Sequence, residues 1–242
     1  MMKKMRSILA IILSSLLTMF WGCVGIAASL FADRHLIKCA VRPWGKMVLW
    51  VCGVRLDVEG TENFPDGTFI VMFNHQSSLD IPVFSAVLPF EWKAVMKNEV
   101  ASIPFLGWVC TLSGHYFVAR DGSVGDTNKV REIIRKIRKG PSVIIAPEGT
   151  RSEDGTLLPF MQGGFLMASL SRVPVVPMII WGGKDVRKKG SYELNADRDI
   201  VVRVLPPIDP ASFPKGREGG EELKGVVREK MLREIEKIRG GR

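Results

Sequence analysis

The sequence is poor in the residues that most often carry side-chain chemistry. Its 242 residues include four cysteines, three histidines and two tyrosines. Cys23, Cys39, Cys52 and Cys110 form no CxxC pair and keep no metal-ligand rhythm, and two of them lie in strongly apolar stretches. A disulfide scaffold is excluded, no metal site is expected, and reduced thiols on the cytosolic side are. The GxxxxGK[ST] phosphate loop, the GxGxxG opening, the GxSxG elbow and HExxH are all missing, so none of the chemistry those motifs support is signalled. Charge is absent from 7–32.

What is present bounds the answer further. A hydrophobic content of 46% is too high for a disordered chain, and the length allows a substantial core. Thirty-four basic residues against 25 acidic ones leave a charge of +9, which calls for an anionic partner. With two tyrosines and no aromatics interleaved in the basic stretches, stacking on single-stranded nucleic acid is not indicated. The N-terminus favours a membrane instead.

Lys3, Lys4 and Arg6 precede the uncharged segment, and Asp33-Arg34 closes it. As a helix it would reach about 39 Å, more than the ~30 Å hydrocarbon core. It lacks the short apolar region and small-x-small exit of a cleaved signal, so an uncleaved anchor is expected. Basic residues follow as well as precede it (Arg34, Lys38, Arg42, Lys46, Arg55), whereas the positive-inside rule favours one side. Residues 36–53 read as an interfacial amphipathic helix with Pro43 as the place for a kink. Two helices dipping into one leaflet would satisfy this symmetry; a single span is the alternative. Residues 1–53 are thus read as a membrane-anchoring helical pair.

Residues 54–242 read as one α/β domain, a mostly parallel or mixed sheet flanked by helices. Short β-branched runs mark strands at 54–58, 68–73, 92–96, 115–119, 142–146, 175–181 and 199–205. Val130, Ile133, Ile134 and Ile137 predict a helix over 127–139, capped by Asp126 or Thr127 and stopped by Gly140-Pro141. A second helix, over 219–238, aligns Leu223, Val227, Met231, Ile235 and Ile238.

Of the three histidines, His75 stands where chemistry could begin. Asn74-His75-Gln76-Ser77-Ser78-Leu79-Asp80 joins an apolar strand to a helix start, with Ser77 or Ser78 as cap. From the first helical turn, Asp80 could reach back to one imidazole nitrogen and leave the other free to accept a proton. A carboxylate serving only the helix dipole is the competing reading. Gly114-His115-Tyr116-Phe117-Val118-Ala119-Arg120 delivers an arginine at a strand end, and Ala146-Pro147-Glu148-Gly149-Thr150-Arg151-Ser152 presents Glu148 and Arg151 in a turn. Arg forks suit a phosphate dianion; a structural ion pair, such as Glu148 with Arg151, is the alternative.

The order NHxSxxD, GxxFVxR, PEGTRS and Val173-Pro174-Val175-Val176-Pro177 resembles the four blocks of the 1-acylglycerol-3-phosphate (lysophosphatidic acid) acyltransferases of PlsC type, over residues 50–205. The resemblance implies transfer of a fatty acyl group from acyl-CoA or acyl carrier protein, with no other cofactor, to the sn-2 hydroxyl of lysophosphatidic acid. It implies His75 as base, Asp80 as its orienting acid, and Arg120, Glu148, Gly149, Thr150, Arg151 and Lys97 at the substrate. The enzyme would sit on the cytoplasmic face of the cell membrane. Many relatives read Pro-Phe-Lys where this chain has Pro159-Phe160-Met161, so a phosphate-contacting lysine is missing. Because the lipid brings the attacking oxygen, no enzyme nucleophile is needed, in keeping with the missing GxSxG. Amides at the loop-to-helix start, with Lys97, are the expected donors to the thioester oxyanion. Another lysolipid acceptor, a thioesterase or lipid hydrolase using the same His–Asp pair, and a non-catalytic basic membrane adaptor are the competing functions.

Overall fold

The computed structural model describes residues 2–30, 34–103, 106–118, 124–188, 190–196 and 198–241. Two helices, α1 (Met2–Leu30) and α2 (Arg34–Val51), precede the sheet. The strands are β1 (Val54–Glu59), β2 (Ile70–Phe73), β3 (Trp92–Lys97), β4 (Tyr116–Val118), β5 (Ser142–Ile145), β6 (Val175–Trp181) and β7 (Arg198–Val204). Between them lie α3 (Asp80–Val87), α4 (Leu106–Leu112), α5 (Val124–Ile137), α6 (Gln162–Ser171) and the short α7 (Gly183–Val186); α8 (Arg217–Gly240) follows β7.

The sheet order is β1-β7-β6-β2-β5-β3-β4. β6, β2, β5, β3 and β4 all run parallel. β7 meets β6 antiparallel, and β1 pairs with β7 in parallel. Five strands therefore open their carboxyl ends at one edge, where open α/β sheets place their ligands.

The central strands are apolar throughout because both faces are covered. Val71, Phe73, Ile144, Met178 and Ile180 point to one side, against Val48 and Leu49 of α2 and Val83 and Phe84 of α3. Ile70, Met72, Val143, Ile145 and Ile179 point to the other, against Ile137, Phe165, Leu223, Val227 and Met231 of α5, α6 and α8. The strict alternation follows from the two-residue period of a strand.

The seven strand expectations match within two residues at each end. Helix boundaries differ for physical reasons. α5 begins at Val124, so Asp126 and Thr127 lie inside its first turn rather than capping it. α3 starts at Asp80 with Leu79 at the cap position and no side-chain capping bond; Ser77 and Ser78 are not its caps.

The two N-terminal helices are joined to the body by specific contacts. Lys3–Ala27 is long and apolar enough to cross a membrane, and Ile8, Leu9, Ile12, Leu16, Met19 and Phe20 are exposed along it. On its inner side, Ser7 Oγ accepts from Leu194 N at 3.0 Å, and Trp44 Nε1 donates to Thr18 Oγ1 at 3.1 Å. α2 is continuous across Pro43. It lies so close to α3 that a Cβ on Gly45 would stand 2.6 Å from Pro82 O and 2.8 Å from Ala86 N.

Candidate active site

The sheet topology collects segments far apart in sequence at one rim. β2 ends at Phe73, and the next residue fixes the loop. Asn74, 2% exposed, donates through Nδ2 to Ile180 O (3.0 Å) and accepts from Ile180 N at Oδ1 (2.8 Å) on neighbouring β6. Gln76 ties the same loop to two others, accepting from Gly182 N and donating to Gly155 O, each at 3.2 Å.

Between these anchors sits His75. Its Nδ1 lies 2.7 Å from Asp80 Oδ2. The same carboxylate oxygen accepts from Gln76 N (2.8 Å) and Ser77 N (3.0 Å). An oxygen already accepting from two amides receives a third donor, so Nδ1 carries the hydrogen and Nε2 the lone pair. Asp80 is fully buried, while the His75 side chain stays 24% exposed, leaving the ring reachable. Asp80 Oδ1 has no hydrogen-bond partner among the described residues. It faces Gly183, where a Cβ would approach to 3.2 Å.

Parallel pairing of β2 with β5 brings the 146–152 loop against the His75 loop. Gly149 adopts φ 71° in a turn closed by its N–H to Ala146 O, a conformation that favours glycine. Glu148 is buried, and its oxygens accept from His75 N (2.7 Å) and Leu158 N (2.8 Å). Burial pushes its carboxyl up to about 7 against the pull of those two bonds and of His75, with Asp80 adding to the rise. Ser152 N donates to His75 O at 2.8 Å. Arg151 is half-buried and Thr150 exposed in the same loop.

Lys97 ends β3 and is exposed, in register with Val118 of β4; it thus shares the rim of the parallel strands. Arg120 lies outside the described residues. Met161 is exposed at the start of α6.

One expectation needs correction. The loop-to-helix amides proposed to face an oxyanion are already engaged: those of Gln76 and Ser77 by Asp80, and those of Leu79 and Asp80 by Ser77. Competition from the Asp80 carboxylate is the physical reason. Sequence reasoning also missed Asn74, Gln76, Ser152 and Gly183, whose partners are 79 to 106 positions away for the first two. Only their position inside the quoted motifs, or beside them, could have flagged them.

Aromatic rings lead away from the base. Phe73 lies edge-on to His75 at 5.8 Å between centroids, then Phe84 follows at 5.4 Å and Trp92 at 4.9 Å. Beyond them a cavity of about 130 Å³ is walled by Trp21, Gly25, Val41, Trp44, Ile81, Val109 and other residues of α1, α2, α3 and α4. An imidazole that can take a proton, linked by a chain of rings to an apolar cavity, suits activation of an alcohol on an amphiphile.

The chain belongs to the Acyltransferase family, which matches residues 55–181. Among its relatives, the 1-acyl-sn-glycerol-3-phosphate acyltransferase of Saccharomyces cerevisiae is 29% identical over 226 residues, 90% of this chain and 73% of that protein. The protein of the same name from Limnanthes douglasii is 35% identical over 68% of this chain. The chain spans 58% of that plant protein's length. The crystal structure of the 1-acyl-sn-glycerophosphate (LPA) acyltransferase PlsC from Thermotoga maritima superposes with a TM-score of 0.84 at 27% identity, covering 98% of this chain and 96% of that one.

Proposed function

We propose that the protein transfers a fatty acyl group from an acyl thioester, acyl-CoA or acyl carrier protein, to the sn-2 hydroxyl of 1-acylglycerol-3-phosphate, giving phosphatidic acid. The observation that carries this reading is the 2.7 Å bond from His75 Nδ1 to a buried Asp80. His75 Nε2 takes the hydroxyl proton as the oxygen attacks the thioester carbonyl. A new ester C–O bond forms as the thiolate leaves, and the proton held on the imidazole completes the thiol. Asp80 holds the productive tautomer and stabilises the imidazolium, as in other His–Asp pairs. A positioned base of this kind contributes roughly 10²–10⁴-fold.

Arg151 and Arg120, with Lys97 at the rim, are the proposed partners of the acceptor's phosphate, and the apolar cavity beside α3 is the proposed place for an acyl chain. The exposed stripe of α1 and the exposed Trp50 of α2 and Trp108 of α4 suit a membrane on the cytoplasmic side, where both lipids reside and no acyl chain need cross water. The relatives' names and the family match support the same acceptor class.

The test is incubation of the purified protein with radiolabelled acyl-CoA, or acyl carrier protein thioester, with and without lysophosphatidate. Diacyl product that depends on the acceptor is expected. Free fatty acid as the sole product would mean a hydrolase, and no turnover with either donor would leave a membrane adaptor.

A further inference from the structure

Glu148 belongs to the PEGTRS block, where a carboxylate is out of place beside an anionic phosphate. The geometry gives it different work. Its oxygens each receive a backbone amide, one from His75 at 2.7 Å and one from Leu158 at 2.8 Å, and the residue is 6% exposed. The opposite side of the His75 peptide is held by Ser152 N at 2.8 Å. The far end of the Leu158 segment is closed by Met161 N on Pro147 O, also 2.8 Å. The backbone of His75 is thus gripped at its N–H and its C=O by one loop, independently of the Asp80 bond to its ring.

We propose that Glu148 is a positioning residue: its carboxylate fixes the His75 backbone and the 152–160 loop in one geometry, and it makes no contact with the acceptor. This rests on His75 being the base. Two converging N–H donors require an acceptor at both ends, which only the carboxylate provides. A glutamine would set an amide N–H against one of them, leaving a buried donor facing a donor.

The charged groups that act on Glu148 are His75 and Asp80. Because burial raises this carboxyl to about 7, the doubly accepting form fills as pH rises through neutrality. Loss of rate on the acid side then includes the proton taken up by Glu148.

The experiment uses the full-length protein in mixed micelles with acyl-CoA and lysophosphatidate, from pH 5.5 to 9. E148Q is expected to lower kcat by roughly 10–100-fold, the scale of a small misplacement of a reacting group, with the acceptor KM within about twofold. The acid limb of its kcat profile should lose the step that Glu148 contributes near 7. A tenfold rise in acceptor KM with kcat kept would overturn the proposal, because Glu148 would then touch the acceptor. A wild-type kcat in E148Q would overturn it too.

A second measurement needs no variant. Leu-Leu pairs occur only at 16–17 and 157–158, so carbonyl-13C and amide-15N leucine labelling leaves two amides, Leu158 and Leu17, the latter in the charge-free 7–32 segment. The Leu158 shift should titrate with a midpoint near 7; a Leu158 amide that keeps the shift of an unbonded N–H across the whole range overturns the proposal. His75→Ala separates the two readings. If that variant still transfers acyl groups, the base assignment fails, while the Leu158 titration still reports the carboxylate. If it is dead and E148Q is normal, only the positioning role fails.

Discussion

Two histidines in this protein meet opposite partners at the same ring atom. At His75, Nδ1 faces the Asp80 carboxylate and donates. At His115, just before β4, Nδ1 accepts from Ala94 N at 3.0 Å. The first leaves Nε2 with a lone pair; the second leaves Nε2 with the hydrogen. His75 is reachable, whereas His115 is stacked on Trp92 at 5.4 Å. Burial and the nearby Lys93 ammonium lower its pKa to about 4. The partner at Nδ1, rather than the residue type, decides whether an imidazole can act as a base.

The largest effect on this contrast should come from His75→Ala, with turnover falling roughly 10³-fold or more in the acceptor-dependent assay; a loss under tenfold would break the contrast. Asp80→Asn should follow closely, at about 10²-fold or more. One asparagine atom must meet both amides and the ring, because all three converge on Oδ2. Its oxygen there keeps every bond but brings no charge to steady the imidazolium; its NH₂ there orphans both amides and forces the His115-like tautomer. Nitrogen-15 NMR of the three histidines would read that switch directly.

Gly183→Ala should be milder. Its Cβ would lie 3.1 Å from Ser77 Cβ and 3.2 Å from Asp80 Oδ1, displacing the carboxylate by a few tenths of an ångström. A several-fold loss in kcat with about 1–2 kcal/mol of stability is expected, measured by kinetics and thermal melting together.

His115→Phe should act chiefly on stability, costing about 1–3 kcal/mol by orphaning the Ala94 amide and lowering turnover less than tenfold. Its effect carries a sign in pH. With a folded value near 4 and an ordinary unfolded value near 6.5, the unfolded chain binds the extra proton between them. Stability from His115 is complete above about 6.5 and is lost as pH falls toward 4. The gap in melting temperature between wild type and variant should therefore shrink as pH falls through that window; a constant gap would contradict the buried neutral ring.

Much of this was legible from local pattern. β-branched runs located the strands, and the apolar spacing in 219–238 anticipated α8 within two residues at either end. Five-residue spacing sufficed to bring His75 and Asp80 together, because a loop and one helical turn leave few ways to close. Glu148 was different. Its partner His75 is 73 positions away, and no local pattern joins them; parallel pairing of β2 and β5 sets the two loops side by side. Helix starts were also hard to read, since Asp80 satisfies loop amides from the first turn where a preceding serine was expected to cap.

Gly45 bears on how the two parts of the molecule behave together. With no side chain to hold them apart, α2 and α3 share a seam of backbone contact, and α3 begins at Asp80 itself. The anchor is consequently less a tether than a joint: a larger residue in that seam would wedge the bases of the two helices apart, and the carboxylate would carry the strain.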